Sequence, residues 1–481
     1  MPLRNLAWLL IVPGLVGLGL AVTASAPPPD KDYKLIRQIV DVFAEVDANF
    51  YRELSDEEKQ QFVEDMINGG LRKLDPHSEF MNAEALKRFE IDSQGSFGGV
   101  GILLEIDPKT KFLMVEHPVP GTPAYEAGLI ANDLIVAVDG TSTEGLTVPK
   151  ASERIKGEPG TKVTLTIRRA GQPDQPYTLT RARIEQHPVS GVRRDPTDPN
   201  KWDWFIDKPN GIALIHVATF NELTVKELEA AVKEIEAQDG KAIILDLRDN
   251  PGGLLDQATK MADLFLTEGK IVGTKDRRNK ERVFNAKQDG TLFLPAEQKP
   301  LVVLVNGDSA SASEIVAAAF QDHKRATIIG ERTFGKGSVQ KLLRLGTDPP
   351  SAIKLTTETW WRPSGANMDR KLVPKDRPDE WGVKPDIEVP MTEDQRRRYV
   401  VELWKAHWVA GKPSVVGPNP PPTPTPKGPD GKPLVDDSKP FEDPPVNKAV
   451  EFLRKKLMGV GRAPAPAAQP WRLPTIGERG A

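Results

Sequence analysis

The stretch PLVVLVNGDSASASEIVAAAFQD, residues 300–322, predicts a buried strand, a tight turn and a helix. The run LVVLV is apolar without interruption, which is typical of a strand covered on both faces of a parallel sheet. The turn carries Ser309, Ser311 and Ser313 beside the free N–H groups and the positive dipole end of the helix. A hydroxyl placed there can act as a nucleophile. Ser311 and Glu314 also fit a capping box, and most serines at helix starts are caps.

The same alternation of strand and helix extends over residues 186–391. Apolar runs such as GIALIHV, AIILDLR and ATIIGE alternate with the helical patterns TVKELEAAVKEIEAQ and LLDQATKMADLFL. Continuous apolar strands separated by helices predict a largely parallel sheet covered by helices. We therefore expect an α/β domain here.

The rest of the chain predicts a multidomain protein. Residues 27–94 repeat apolar residues at helical spacing, with Ser55 as a helix N-cap, and predict a small helical region. Residues 95–185 hold short β-like runs broken by glycine and proline, and predict a compact β-rich domain. The remaining segments are a predicted helix at 392–412, an extended linker at 413–445 that holds 12 prolines, and a short helix with a loose tail at 446–481.

Composition excludes several classes of function. The 481 residues include no cysteine, so disulfides, thiol catalysis and cysteine metal sites are ruled out. The 65 basic and 68 acidic residues give a net charge of −3 without a lopsided block, which does not suggest a nucleic-acid partner. The six histidines are scattered without a metal-binding motif. The sequence therefore predicts no metal and no cofactor.

The first 26 residues, MPLRNLAWLLIVPGLVGLGLAVTASA, have the order of a secretory signal. Arg4 precedes an apolar run from Leu6 to Val22, and Ala24-Ser25-Ala26 follows. The run is shorter than a spanning helix of about 20 residues, which favours cleavage after Ala26. We expect an exported protein in the periplasm or another extracytoplasmic compartment, with a membrane anchor as the alternative if the segment is uncleaved.

The stretch GERTFGKGS, residues 330–338, resembles a phosphate-binding loop but departs from it. A P-loop has a hydroxyl residue directly after its lysine, whereas Gly337 follows Lys336 and Ser338 comes one place late. A nucleotide site is therefore disfavoured. A lysine can instead activate a serine if desolvation lowers the pKa of its amine, although a solvated turn lysine is the plain alternative.

Several motifs together resemble the C-terminal processing peptidases, also called tail-specific proteases. They are DLRDNPGGLL, NGDSASASEIVA, ERTFGKGSVQ and GVKPDIEVP, with LDPHSEFM upstream and FGGVGILLE between, and the similarity runs from about residue 32 to 391. The resemblance implies that Ser311 is the nucleophile, Lys336 the general base and Gln340 the residue that positions the lysine. It also implies an α/β crotonase-like (ClpP-like) protease core and a PDZ domain at 95–185.

The mechanism that this resemblance implies also needs donors for an oxyanion. The oxyanion donors are expected to be the N–H of Ala312 and one from Gly252 or Gly253, a choice that the sequence leaves open. The NPGG turn lies at the carboxyl end of a strand, where open α/β sheets place their sites, although a simple turn is the alternative reading.

The β-rich domain is expected to bind a chain terminus. A PDZ domain adds a peptide strand and holds its free carboxylate in a nest of backbone N–H groups. The expected nest is the run of Gly98, Gly99, Val100, Gly101 and Ile102, with a plain glycine turn as the alternative. The implied partners are proteins with free, unstructured C-terminal tails.

Two other functions stay open at this point. One is an inert PDZ scaffold on a degenerate hydrolase sheet, and the other is an acyl-transfer enzyme acting on small thioesters. The sequence also leaves open a homo-oligomer or a regulatory partner.

Overall fold

The computed structural model describes residues 31–195, 197–373, 376, 379–416, 426, 434–436 and 441–459. The predicted signal at 1–26, most of the proline-rich linker and the predicted tail after 459 lie outside the described residues. The chain divides into two compact units, one ending at Phe80 and one beginning at Met81.

The helices of the described chain are α1 (Lys31–Asn49), α2 (Asp56–Leu74), α3 (Ala83–Gln94), α4 (Pro123–Glu126), α5 (Val148–Ile155), α6 (Thr224–Ala237), α7 (Leu255–Asp263), α8 (Ala312–Asp322), α9 (Glu393–His407), α10 (Pro413–Val416) and α11 (Pro444–Gly459). The strands are β1 (Glu79–Met81), β2 (Ser96–Gly99), β3 (Ile102–Ile106), β4 (Leu113–Pro118), β5 (Leu134–Val138), β6 (Thr141–Ser142), β7 (Lys162–Arg168), β8 (Gln175–Thr180), β9 (Ala182–Glu185), β10 (Val189–Ser190), β11 (Arg193–Arg194), β12 (Trp202–Asp203), β13 (Phe205–Asp207), β14 (Ile212–Val217), β15 (Ala242–Asp246), β16 (Lys270–Asp276), β17 (Glu281–Asn285), β18 (Leu301–Val305), β19 (Ala326–Gly330), β20 (Ser338–Leu345), β21 (Ser351–Trp361) and β22 (Ile387–Glu388).

The first unit contains α1 and α2. Ser55 caps α2, because its hydroxyl accepts a hydrogen bond from the Glu58 N–H while the Ser55 N–H donates to the Glu58 carboxylate. The predicted N-cap is confirmed.

The described residues contain no helix that has both the length and the hydrophobicity of a membrane span.

The second unit is built around a seven-stranded sheet in the order β10-β14-β15-β18-β19-β22, with β13 also paired to β14. Strands β14, β15, β18, β19 and β22 run parallel. Every residue of β14, β15 and β18 is buried, as their continuous apolar sequences require. The predicted α/β core is confirmed.

Helices cover both faces of this sheet. On one face α6, α7 and α8 pack on alternate strand residues such as Ile215, Leu245 and Val303. On the other face α11 packs on the intervening residues, including Ile244 and Val302. The predicted C-terminal helix is therefore part of the core of this unit.

The β-rich domain forms a second sheet in the order β3-β4-β5-β7-β8, with β6 paired to β5. Its core residues alternate along the strands, as in β7, where Val163, Leu165 and Ile167 are buried. Among the described residues β3 pairs with β4 alone, so β3 is an edge strand of this sheet. The domain rests on α9, where the Trp404 indole N–H donates to the Glu116 carboxylate at 2.5 Å.

A buried ion cluster fixes α11 and α9 to the sheet. The Arg248 guanidinium binds Asp246 at the end of β15 and also Asp443, 195 residues away, with both Asp443 contacts at 2.9 Å. The Tyr399 ring of α9 lies 4.0 Å from the guanidinium carbon. Burial would lower the pKa of Arg248, but the two carboxylates raise it well above its ordinary value.

Replacing Asp443 tests this cluster. Asp443→Ala leaves a buried guanidinium with one carboxylate fewer, and we expect it to lower the free energy of unfolding by about 3–5 kcal/mol. Glu451→Ala on α11 is the control, because Glu451 is exposed and, among the described residues, pairs with Lys448 and Lys455 of the same helix, so its loss should change stability little. Urea unfolding measures both variants. Equal losses in the two would contradict a special role for the buried cluster.

Candidate active site

The three serines of the turn after β18 have different environments. Ser309 is fully buried, and its hydroxyl donates to the Leu247 carbonyl at 2.8 Å. Ser313 is also fully buried and donates to the Asn250 carbonyl at 2.9 Å. Ser311 is only half-buried. The structure thus gives two of the serines bonding roles inside the turn and leaves Ser311 the more accessible.

Ser311 has a strained backbone. Its φ of 55° and ψ of −110° lie in a region that residues with a side chain rarely occupy, directly before the first residue of α8. Gly252 packs against it, because a Cβ on Gly252 would lie 2.9 Å from the Ser311 Cβ and 2.9 Å from the Ala312 nitrogen. Backbone strain of this kind is a feature of functional sites.

Lys336 lies in a loop whose backbone is held along its length. The Phe334 N–H donates to the Ser309 carbonyl at 3.1 Å, and the Gly337 N–H donates to Asp369 at 3.2 Å. The Lys336 carbonyl accepts from the Trp360 indole N–H at 2.7 Å. The loop continues into strand β20, whereas a phosphate-binding loop would continue into a helix. The local fold therefore excludes a nucleotide-binding P-loop in this stretch.

A buried carboxylate joins the Ser311 turn to the Lys336 loop. Glu314 Oε2 accepts from the Ser311 N–H at 2.8 Å and from the Lys336 N–H at 2.9 Å. Its Oε1 accepts from the Gly335 N–H at 2.7 Å and from the Thr333 hydroxyl at 2.6 Å. One oxygen atom therefore holds the backbones of Ser311 and Lys336 within two hydrogen-bond lengths of each other.

Burial raises the pKa of the Glu314 carboxyl. The side chain has no exposed surface, and burial raises the pKa of its carboxyl to about 7, although the four hydrogen bonds act in the opposite direction. Sequence reasoning identified Glu314 only as a cap. The missed signal was that Glu314 is the one charged residue in the run ASEIVAAAF, since a helix that is apolar all round is buried.

Gln340 lies on β20, four residues after Lys336. Its amide nitrogen donates to the Ser338 hydroxyl at 3.0 Å and to the Thr356 hydroxyl at 2.9 Å. These contacts use the nitrogen and orient the amide, so the oxygen is the atom suited to accept from an amine.

The turn after β15 carries the two candidate glycines. Gly252 and Gly253 have φ values of 100° and 144°, which favour glycine. The Gly252 N–H donates to the Asn250 side chain at 2.9 Å. Among the described residues the Gly253 N–H has no acceptor, and neither has that of Ala312.

The five residues of the expected nest fall into two groups. Gly98 and Gly99 lie in β2 and pair with Arg183 and Ala182 of β9. A Cβ on Gly98 would lie 2.0 Å from a backbone oxygen, so packing alone requires glycine there. The second group precedes or begins the edge strand β3: Val100 and Gly101 come directly before it, and Ile102 is its first residue.

One group of side chains in the described chain has the donor atoms for a metal ion. The ligand atoms of Glu185, His187 and Glu227 lie within 4.8 Å of one another. His187 Nδ1 already pairs with Glu227 at 2.6 Å, and Glu227 raises the pKa of His187. None of these residues belongs to the set predicted for the chemistry.

Comparisons with known proteins identify the family of this chain. Residues 211–389 match the model of peptidase family S41, and residues 114–169 match that of a PDZ domain. The chain is 38% identical over 368 residues to the carboxy-terminal-processing protease of Bartonella bacilliformis, covering 75% of this chain and 77% of that one. It is 32% identical to the carboxy-terminal processing protease CtpA of Bacillus subtilis, covering 74% and 70%. A solved structure of a photosystem II D1 C-terminal processing protease is 27% identical, covering 73% of this chain and 92% of that one, with a TM-score of 0.38.

Replacing Glu314 tests the link between the two loops. In Glu314→Gln an amide nitrogen faces backbone N–H donors, so we expect the Ser311 turn and the Lys336 loop to lose their alignment. The rate at which a fluorophosphonate probe labels Ser311 should fall at least about tenfold, the effect of a change of about 1.4 kcal/mol. Glu331→Gln is the control. Glu331 also accepts a backbone N–H, that of Met391, but among the described residues it bonds neither Ser311 nor Lys336. Unchanged labelling in Glu314→Gln would contradict the alignment.

Proposed function

This chain belongs to peptidase family S41 as a carboxy-terminal processing serine protease, and we propose that it cuts proteins near unstructured C-terminal tails with Ser311 and Lys336. The observation that carries this proposal is the shared Glu314 oxygen, which holds the backbones of both residues. The accessibility of Ser311, against the buried and bonded Ser309 and Ser313, supports its choice as nucleophile.

In the proposed mechanism the neutral Lys336 amine takes the hydroxyl proton as Ser311 Oγ bonds to the carbonyl carbon of the substrate. The peptide C–N bond then breaks, the lysine gives the proton to the leaving amine, and an acyl ester remains on Ser311. Water next gives a proton to Lys336 and attacks the ester. That proton returns to Ser311 Oγ as the acid product leaves. The cycle balances without a metal or cofactor.

The oxyanion of each tetrahedral intermediate needs two preorganised donors. We assign them to the N–H groups of Ala312 and Gly253. Gly252 is the weaker choice, because its N–H already donates to the Asn250 side chain. The strained Ser311 turn supports the assignment, since the adjacent Ala312 N–H is the first of α8 and has no acceptor within the part of the chain that the structure describes.

Gln340 is assigned as the residue that orients the lysine. Its amide nitrogen is held by Ser338 and Thr356, which supports an amide oxygen directed at the amine. A neutral amide adds no charge that would keep the proton on the lysine.

The PDZ domain is assigned the recognition of the substrate tail. The open edge of β3 can accept a peptide strand, and the Val100 and Gly101 N–H groups donate to no acceptor within the described residues. Gly101 has a φ of 78°, which suits a turn of N–H groups around a carboxylate. We place this domain at 95–185 and the protease core at 186–391, bounds that enclose the two family matches.

The proposed substrates are proteins with a free carboxyl terminus. The signal-like sequence of residues 1–26 supports export to the periplasm or another extracytoplasmic compartment. Contact with a membrane is expected only if that segment stays attached.

The base role of Lys336 predicts a pH profile. Only the neutral amine accepts a proton, so kcat/KM of the wild type should rise with pH. Ionisation of Glu314, whose pKa burial raises to about 7, falls within the same profile. Lys336→Arg is charged at every accessible pH and should be at least about 100-fold less active throughout. Lys341→Arg, which alters an exposed lysine of β20 paired with Glu358, should match the wild type. Substantial activity in Lys336→Arg would show that another group takes the proton.

Tail recognition predicts a requirement for the free carboxylate. Amidating the last residue of a protein substrate removes a charge that accepts backbone N–H bonds, and we expect KM to rise about 10- to 100-fold. A short peptide cleaved without a tail serves as the control, and its rate should be the same as acid or amide. Equal KM values for the two forms of the protein substrate would remove the PDZ domain from recognition.

A further inference from the structure

We propose that Asn250 is a positioning residue for the oxyanion hole, a role that rests on the function proposed above. Asn250 lies in the turn DNPGG between β15 and α7 and has no exposed surface. It acts through the two N–H groups assigned to Gly253 and Ala312.

The side chain of Asn250 sets the direction of the glycine turn. Its Oδ1 accepts from the Gly252 N–H at 2.9 Å, which is the pattern of an Asx turn. Its Nδ2 donates to the carbonyl of Val217, the last residue of β14, at 2.7 Å. The amide therefore turns the Gly252 N–H inward, and the next N–H, that of Gly253, is the one left for a ligand.

The backbone of Asn250 sets the position of the serine turn. Its carbonyl accepts from the Ala310 N–H at 3.0 Å and from the Ser313 hydroxyl at 2.9 Å. These two residues flank Ser311 and Ala312. One residue thus bonds both turns that supply the oxyanion donors, and donors in such a hole must lie about 2.7–3.1 Å from the developing charge.

Other contacts hold the far side of the glycine turn. The Gly252 carbonyl accepts from the Phe220 N–H at 3.0 Å and from the Thr219 hydroxyl at 3.1 Å. The Leu254 N–H donates to the Phe220 carbonyl at 2.7 Å. Loss of the Asn250 side chain should therefore redirect the Gly252 and Gly253 amides while the turn stays attached to the sheet.

The first test is Asn250→Ala in the full chain, assayed with a short peptide that is cut without a tail. We expect kcat to fall about 10²- to 10³-fold, the usual effect of losing one oxyanion donor, with KM within a few-fold of the wild type. The affinity for a peptide aldehyde, which forms a tetrahedral adduct, should fall by a similar factor. The affinity for the corresponding peptide alcohol should not change.

Asn221 offers a matched control. It is a buried asparagine of the same chemistry, since its Oδ1 accepts from the Leu223 N–H at 2.9 Å and its Nδ2 donates to the Gln186 carbonyl at 3.2 Å. Asn221→Ala removes the same kind of bonds from the residue after Phe220, so it loosens the neighbouring segment without removing any bond of the glycine turn. It should lower thermal stability without lowering kcat for the short peptide.

A second variant keeps the proposal testable if Asn250→Ala fails to fold. In Asn250→Asp the protonated carboxyl can still donate to the Val217 carbonyl and accept from Gly252, whereas the ionised form cannot donate. The ratio of variant to wild-type kcat should therefore fall as pH rises, after correction for the folded fraction measured at each pH. A purely structural role would leave this corrected ratio flat.

The outcomes separate this inference from the proposed function. The role of Asn250 would be overturned if Asn250→Ala kept the wild-type kcat, changed only KM or kept its affinity for the peptide aldehyde. It would also be overturned if the ratio of Asn250→Asp kcat to wild-type kcat did not change with pH. Activity retained in Ser311→Ala would instead overturn the proposed mechanism itself.

Discussion

The arrangement of this site depends on one buried carboxylate. Glu314 stands in the first turn of α8, has no exposed surface and accepts four hydrogen bonds, three of them from backbone N–H groups. A buried carboxyl left without hydrogen-bond partners in this position would be destabilising, so closure of the Lys336 loop over α8 stabilises the domain. The energetic requirement to satisfy Glu314 thereby brings together two segments that are distant in sequence.

The central sheet places the other segments of the proposed site at the carboxyl ends of its parallel strands. Strands β14, β15, β18 and β19 are parallel, so the turns that follow β15 and β18 and the loop that follows β19 leave the sheet at the same end. These segments carry Gly253, Ser311 and Lys336 respectively. The register of these strands brings their ends level, since Leu245 pairs with Val303 and Val303 pairs with Ile328.

The sequence predicts the fold better than it predicts the site. The apolar runs identify the strands, and the serine turn and the lysine loop are recognisable as local motifs. The partners of Glu314 are not recognisable, because Thr333 and Lys336 follow 19 and 22 residues later. The Lys336 bond also comes from a backbone N–H, which any residue other than proline carries. The same holds for Asp443, whose acidic side chain in a proline-rich stretch gives no sign of the buried Arg248 that it pairs with. Long-range polar contacts of this kind depend on tertiary structure, whereas periodicity reports only the apolar face of each element.

The contact between the PDZ domain and α9 has a different character from these buried clusters. The Glu116 carboxylate receives the Trp404 indole N–H, yet the neighbouring His117 Nδ1 and Trp408 Nε1 are buried without a hydrogen-bond partner among the described residues. Unpaired buried polar atoms of this kind cost about 1–3 kcal/mol each, and separation of the two surfaces would return them to water. The Glu314 carboxylate accepts four hydrogen bonds, whereas these two buried nitrogens where the PDZ domain meets α9 have none within the described part of the chain. Separating the PDZ domain from α9 should therefore cost less free energy than separating the Ser311 turn from the Lys336 loop, because the latter leaves a buried carboxyl without its hydrogen bonds.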